Sequence, residues 1–142
     1  MHESILRDFI EGRVSSSDLR ADLVGAIVQT GAIAFTHKIV DMDVDFEVAP
    51  SHLVRVCDSV LSGELEPSNL EAIGYCLAAS DHFYWDGDTQ SGSRVAETAY
   101  DWASPVNNYR LTLDTVRKFR ERLVSGQNLF TPDDFPDKHE RI

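Results

Sequence analysis

Hydrophobic and polar positions alternate strictly over residues 40–48, "VDMDVDFEV": Val40, Met42, Val44, Phe46 and Val48 share one parity, and Asp41, Asp43, Asp45 and Glu47 the other. In an extended backbone that period of two lines four carboxylates along one side. A lone strand leaves its backbone groups unsatisfied. The segment therefore needs a partner inside the fold, across a dimer or on another protein, unless it is a loop or irregular helix.

Elsewhere the pattern has the period of a helix. Residues 4–11 group Ile5, Leu6, Phe9 and Ile10 on one face, with Gly12 as a stop. Leu19, Leu23, Ile27 and Ala34 keep helical spacing from Asp18 to about His37, in a helix weakened by Gly25 and Gly31. Ser51 precedes Leu53, Val56, Cys57, Val60 and Leu61, closed by Gly63. "SNLE" (68–71) has the form of a capping box ahead of Leu70, Ile73 and Leu77. The short connection between these two segments predicts an antiparallel helical hairpin. After the polar loop 80–93, a helix from Arg94 to Ala103 buries Val95, Ala99 and Trp102. Thr112 caps a last helix with Leu113, Val116, Phe119 and Leu123 on one stripe, Arg117, Lys118, Arg120 and Arg122 on the others, and Gly126 at its end.

These elements predict a mainly α protein: a compact bundle of five to six helices with one short extended segment near 40–48. The expected organisation is a single helical domain over 1–130 and a loosely held tail over 131–142, where Pro132 and Pro136 fall.

Charge changes the picture. Thirteen Lys and Arg stand against 24 Asp and Glu, a net charge of −11. From Asp41 to Asp101 there are 13 acids and only Arg55 and Arg94 as bases, so this window carries the entire imbalance. Such a field repels nucleic acid and anionic membrane and attracts basic partners or metal ions. The longest apolar run, 23–35, is broken by Gln29 and Thr30, and Glu3, Arg7, Asp8 and Glu11 interrupt any leader-like stretch at the start. Neither Cys57 nor Cys76 belongs to a CxxC pair. The expectation is a cytoplasmic protein with both thiols in the core.

Candidate chemistry is sparse. "DGDTQSGSRVAE" (86–97) sets Asp86, Asp88, Gln90 and Glu97 at positions one, three, five and twelve of a calcium loop, but Ser91 holds the position that needs glycine. His82 neighbours Asp81, a carboxylate able to orient its imidazole. The chain contains no HExxH, GxSxG, GxGxxG or GxxxxGK[ST] motif. No cofactor is implied, and nothing supports an enzyme. Partner binding fits better: "SDHFYWDGD" (80–88) sets Phe83, Tyr84 and Trp85 among Asp81, Asp86 and Asp88. Aromatics anchor interfaces, and carboxylates pair with Lys and Arg of a basic partner. The competing arrangement has Phe83 and Trp85 covering the bundle, with Tyr84 half exposed.

Three stretches, "HLVRVCDSVLSGEL", "LEAIGYCLAASDHFYWD" and "YDWASPVNNYRLTLDTVRKFRERLVSG", lie within Ser51–Gly126. With the small size, helical pattern and acidic charge, this region resembles bacterial immunity proteins of the colicin and contact-dependent-inhibition type; residues 1–50 add nothing to it. The resemblance implies a non-enzymatic protein that occludes a basic toxin, often a nuclease, through a face that mimics a phosphate backbone. The contacts expected on that reading are Asp41, Asp43, Asp45, Glu47, Glu64, Glu66, Asp81, Trp85, Asp86 and Asp88. Two alternatives stand beside it. One is a metal-dependent binding or hydrolytic protein using Asp86, Asp88, Gln90 and Glu97. The other is an acidic structural subunit or homodimer paired through 40–48.

Overall fold

The computed structural model describes residues 1–29 and 35–136. Six helices dominate: α1 (Glu3–Ile10), α2 (Ser16–Leu23), α3 (Pro50–Leu61), α4 (Asn69–Ala79), α5 (Gln90–Ala103) and α6 (Leu113–Ser125). Four short strands accompany them: β1 (Ile27–Gln29), β2 (Phe35–His37), β3 (Phe46–Glu47) and β4 (Phe83–Tyr84). The mainly α bundle expected from the pattern is what forms, and among the described residues no helix is long and apolar enough to cross a membrane.

The helix over 18–37 does not form. Ser15 caps α2 in a reciprocal box with Asp18, and the helix ends at Leu23. Val24 turns extended and Gly25 takes φ +73°, which a side chain resists. The chain then re-enters as β1, antiparallel to β2 in the register Ile27↔His37. Ala34, assigned to the same helical stripe, lies outside the described residues.

The antiparallel α3–α4 hairpin also fails as a packing unit. α4 packs chiefly on α5, and α3 on α6, with α5 joining the two pairs. The reason is steric. A Cβ at Gly74 would stand 2.5 Å from Trp102 Cβ, 2.7 Å from Ala103 N and 2.8 Å from Ala99 O, so the missing side chain lets α4 lie directly on the α5 backbone. Ser68 and Glu71 form no capping box; instead Asn69 Oδ1 accepts the Glu66 N–H at 2.8 Å.

The core lies between these helix pairs. Leu53, Val56, Val60, Ile73, Val95, Ala99, Trp102, Val116 and Phe119 are fully enclosed, and Trp102 meets Phe119 edge to face at 6.0 Å. Thr112 and Gly126 bound α6 as the pattern predicts. Leu113 departs from its stripe and is exposed, while Arg122 turns inward and is only 7 % exposed. Its Nη2 donates to Asp101 Oδ2 at 2.8 Å and Thr98 Oγ1 at 3.3 Å, and its guanidinium lies 5.4 Å from the Phe119 ring and 5.2 Å from Phe130.

Both thiols are buried in the core and unpaired, and burial pushes Cys57 up to about 12 and Cys76 higher still. Beyond residue 130, Lys118 Nζ holds the buried Asp134 at 2.7 Å and Phe135 rests on Tyr109. The rest of the expected tail, 137–142, lies outside the described residues.

Gly74→Ala should destabilise the protein by about 3 kcal/mol, the upper range for overpacking a tight site. Gly87→Ala, whose added Cβ meets nothing within 4 Å, should leave the urea midpoint almost unchanged.

Candidate functional site

The alternating segment is stitched into the fold at both ends. At its start, the Val40 carbonyl accepts the Glu3 N–H at 3.0 Å, and the Glu3 carboxylate, 1 % exposed, accepts the Met42 N–H at 3.0 Å. At its end, β3 pairs in parallel with β4, Phe46↔Phe83 and Glu47↔Tyr84. Phe46 N–H donates to the His82 carbonyl and Val48 N–H to the Tyr84 carbonyl, both at 2.9 Å. The partner of the extended segment is therefore internal, and regular pairing is confined to its last residues.

Side-chain alternation holds better than regular strand geometry. Met42 and Val48 are buried, Phe46 is half-buried edge-on to Phe83, and Asp41, Asp43, Asp45 and Glu47 are all exposed. Val40 and Val44 are exceptions on the apolar parity. Val44 sits in a bend and is 45 % exposed.

The loop before α5 is brought alongside by the same pairing. Ser80 Oγ accepts the N–H groups of His82 and Phe83 at 2.9 and 3.0 Å and so sets the entry into β4. Phe83 enters the core, Tyr84 is half exposed, and the half-buried Trp85 meets Tyr100 edge to face at 6.4 Å. Asp86 then folds the turn: its Oδ1 accepts the Asp88 N–H, and its carbonyl accepts from Thr89 N and Oγ1. Thr89 caps α5 through Gly92 N–H at 3.0 Å.

Helix α5 therefore starts at Gln90, not at Arg94, which corrects the calcium-loop alternative. Gln90 and Glu97 sit on one helix seven residues apart, about 10 Å along its axis. Glu97 instead turns toward Arg122, at 3.8 Å. Asp86, Asp88, Gln90 and Glu97 do not converge, and among the described residues no three His, Cys, Asp or Glu side chains gather in a metal-holding group.

Glu64 and Glu66 also leave the expected face. They follow the C-terminus of α3 whereas Glu47 precedes its N-terminus, a separation of about 18 Å along the helix. Glu64 accepts from Ser16 Oγ, and Glu66 pairs with Arg20 at 3.5 Å. The remaining candidates, Asp41, Asp43, Asp45, Glu47, Asp81, Trp85, Asp86 and Asp88, occupy two neighbouring segments that are paired through β3 and β4 and also carry exposed Val44 and Tyr84.

The electrostatics of this face differ from the rest of the protein. Elsewhere many acids find cations: Asp8 with Arg7, Asp58 with Arg120 at 2.6 Å, Asp114 and Asp134 with Lys118, Asp101 with Arg122. Among the described residues, no Lys or Arg pairs with Asp41, Asp43, Asp45, Glu47, Asp81, Asp86 or Asp88. One histidine relieves them. His82 Nδ1 lies 2.9 Å from Asp45 Oδ1, so Asp45, and not the adjacent Asp81, orients the imidazole. That hydrogen bond is the main cause holding the His82 pKa above its ordinary 6.5. His52 behaves oppositely. Its Nδ1 accepts the Ala49 N–H at the start of α3, and burial lowers its pKa.

Comparison with known proteins finds no matching family model, no matching curated protein and no matching solved structure.

Because His82 is raised in the folded state, its bond to Asp45 stabilises fully below the unfolded value near 6.5 and is lost as pH rises through the folded value. An NMR titration should place the His82 midpoint above 6.5, and Asp45→Asn should bring it back toward that value while leaving His52 unchanged.

Proposed function

We propose that this protein is a non-enzymatic binding protein whose acidic face occludes a basic protein partner. The observation that carries the reading is the set of seven exposed carboxylates, gathered from 41–47 and 81–88 and, among the described residues, without a Lys or Arg partner, in a molecule that pairs many of its other acids. Like charges held together cost stability, and a surface that keeps them has that repulsion to release on meeting a cation-rich partner. Val44, Tyr84 and the edge of Trp85 add apolar and aromatic contact area among the charges, the composition of an anchoring patch ringed by polar groups.

Within this class the function is that of an immunity protein. The acidic face takes the place of the phosphate backbone in the cleft of a nuclease-like toxin, and long-range attraction gives rapid capture. The contacts are Asp41, Asp43, Asp45, Glu47, Asp81, Trp85, Asp86 and Asp88; Glu64 and Glu66 lie outside the face. The reading places the protein in the cytoplasm, where such a toxin would act.

The test compares the protein with a variant carrying Asp43→Asn, Glu47→Gln, Asp86→Asn and Asp88→Asn. Immobilised and exposed to lysate of the source cells at low salt, the unaltered protein should retain a basic protein that a salt gradient releases. The variant should retain at least tenfold less and melt at an equal or higher temperature. Mixing should suppress any nuclease activity of the eluted partner. Equal retention by both, or release insensitive to salt, would remove the acidic face from the interface.

A further inference from the structure

A second site lies in the cleft between α5 and α6. The cleft has a volume of about 770 Å³, within the usual range for small-ligand sites. One wall is the polar stripe of α5, which includes Arg94, Glu97 and Asp101; the other carries Arg122, Gly126 and Asn128, with Asn108 and Tyr109 from the α5–α6 connection.

Two guanidinium groups there retain donor capacity. Arg94 lies over Gly126, where a Cβ would come within 2.6 Å of its Nη2, and its Nη1 makes only two long contacts, 3.5 Å to each of the Leu123 and Val124 carbonyls. Among the described residues no carboxylate forms an ion pair with it. In a chain of net charge −11, a half-buried arginine without a carboxylate is exceptional. The second is Arg122, more than nine-tenths buried. Its Nη2 is satisfied by Asp101 and Thr98, but its buried Nε has no hydrogen-bond acceptor, the Glu97 carboxylate standing 3.8 Å away.

The neutral groups around them narrow the ligand. Asn108 uses its Nδ2 toward the Tyr100 carbonyl, which leaves its Oδ1 as an acceptor. Asn128 uses its Oδ1 for the Phe130 N–H, which leaves its Nδ2 as a donor. The Tyr109 ring, stacked on Phe130 at 3.9 Å, forms part of the cleft wall. We propose that this cleft binds a sugar acid, its single carboxylate gripped by the Arg94 fork and its hydroxyls bonded by Asn108 and Asn128. The charge balance selects a monoanion. Arg122 is neutralised by Asp101, and Glu97 repels a second negative charge, so one planar carboxylate suits Arg94, which has no ion pair among the described residues, better than a dianionic phosphate does. The assignment does not rest on the reading of the acidic face or its partner.

The test is an amide-shift titration of the labelled protein with sodium D-glucuronate at constant ionic strength, with D-glucose and inorganic phosphate as comparisons. Glucuronate should give saturable shifts at Arg94, Asn108, Asn128 and Gly126, glucose none, and phosphate at least tenfold weaker ones. Arg94→Gln should weaken glucuronate binding at least tenfold, and Arg94→Lys, which keeps a cation at the end of α6, should weaken it several-fold. A melting temperature close to that of the unaltered protein confirms that either variant is folded. Absence of saturable shifts, an equal response to phosphate, or undiminished binding in a folded Arg94→Gln variant would each overturn the assignment.

Discussion

Two backbone hydrogen bonds, from Phe46 N–H to the His82 carbonyl and from Val48 N–H to the Tyr84 carbonyl, carry the acidic face. They join segments separated in the chain by the whole of α3 and α4. A two-residue parallel pairing has little stability of its own. What holds it is burial on either side: Val48 and Phe83 are 3 % and 4 % exposed, Phe46 packs against Phe83 and His52, and Ser80 fixes the turn leading into β4. The face therefore rests on the core, and the core rests on how closely α4 and α5 approach. Gly74 permits that approach, and α4 leads directly through Ser80 to the strand.

Charge organisation follows from this placement. Along α1, α3 and α6, Asp8, Asp58 and Asp114 each lie within reach of an arginine or lysine, because helical neighbours and packed helices bring opposite charges together. On the paired segments the alternation supplies no cation: the exposed positions of 41–47 are four acids and Val44, and the adjoining loop contributes Asp81, Asp86 and Asp88. Among the described residues, His82 is the group set among them that takes up positive charge, and Asp45 holds it in position. A fold whose local choices agree nearly everywhere departs from that agreement here, which is where function is expected to reside.

The readable parts of the sequence were those governed by local rules. Thr112 and Gly126 bracket α6, the stripe of α1 is as predicted, and the four acids of 41–47 face outward as their parity requires. The misread parts depended on distant contacts. Leu19, Leu23 and Ile27 have helical spacing, yet the backbone turn at Gly25 divides them between α2 and β1. β4 is two residues long, too short to show a period, so the partner of β3 had no signature of its own. Gly74 reads as a flaw within a helix until Trp102 is placed against it. Arg122 has the look of a surface cation and is buried because Asp101 and Thr98 await it on α5. Glu64 and Glu66 belong to the acidic window by sequence position but are carried away from the face by the length of α3.

The central claim is that the two paired segments form one dominant cation-attracting surface. It is tested most directly by mapping the binding of an oligo-lysine peptide to the isotopically labelled protein at low ionic strength through amide shifts. The account predicts shifts concentrated in 41–48 and 81–88, collapsing together as salt is raised, with the amides of Glu64 and Glu66 little affected. Shifts centred on Glu64 and Glu66, or spread evenly over the acidic residues of the molecule, would contradict it.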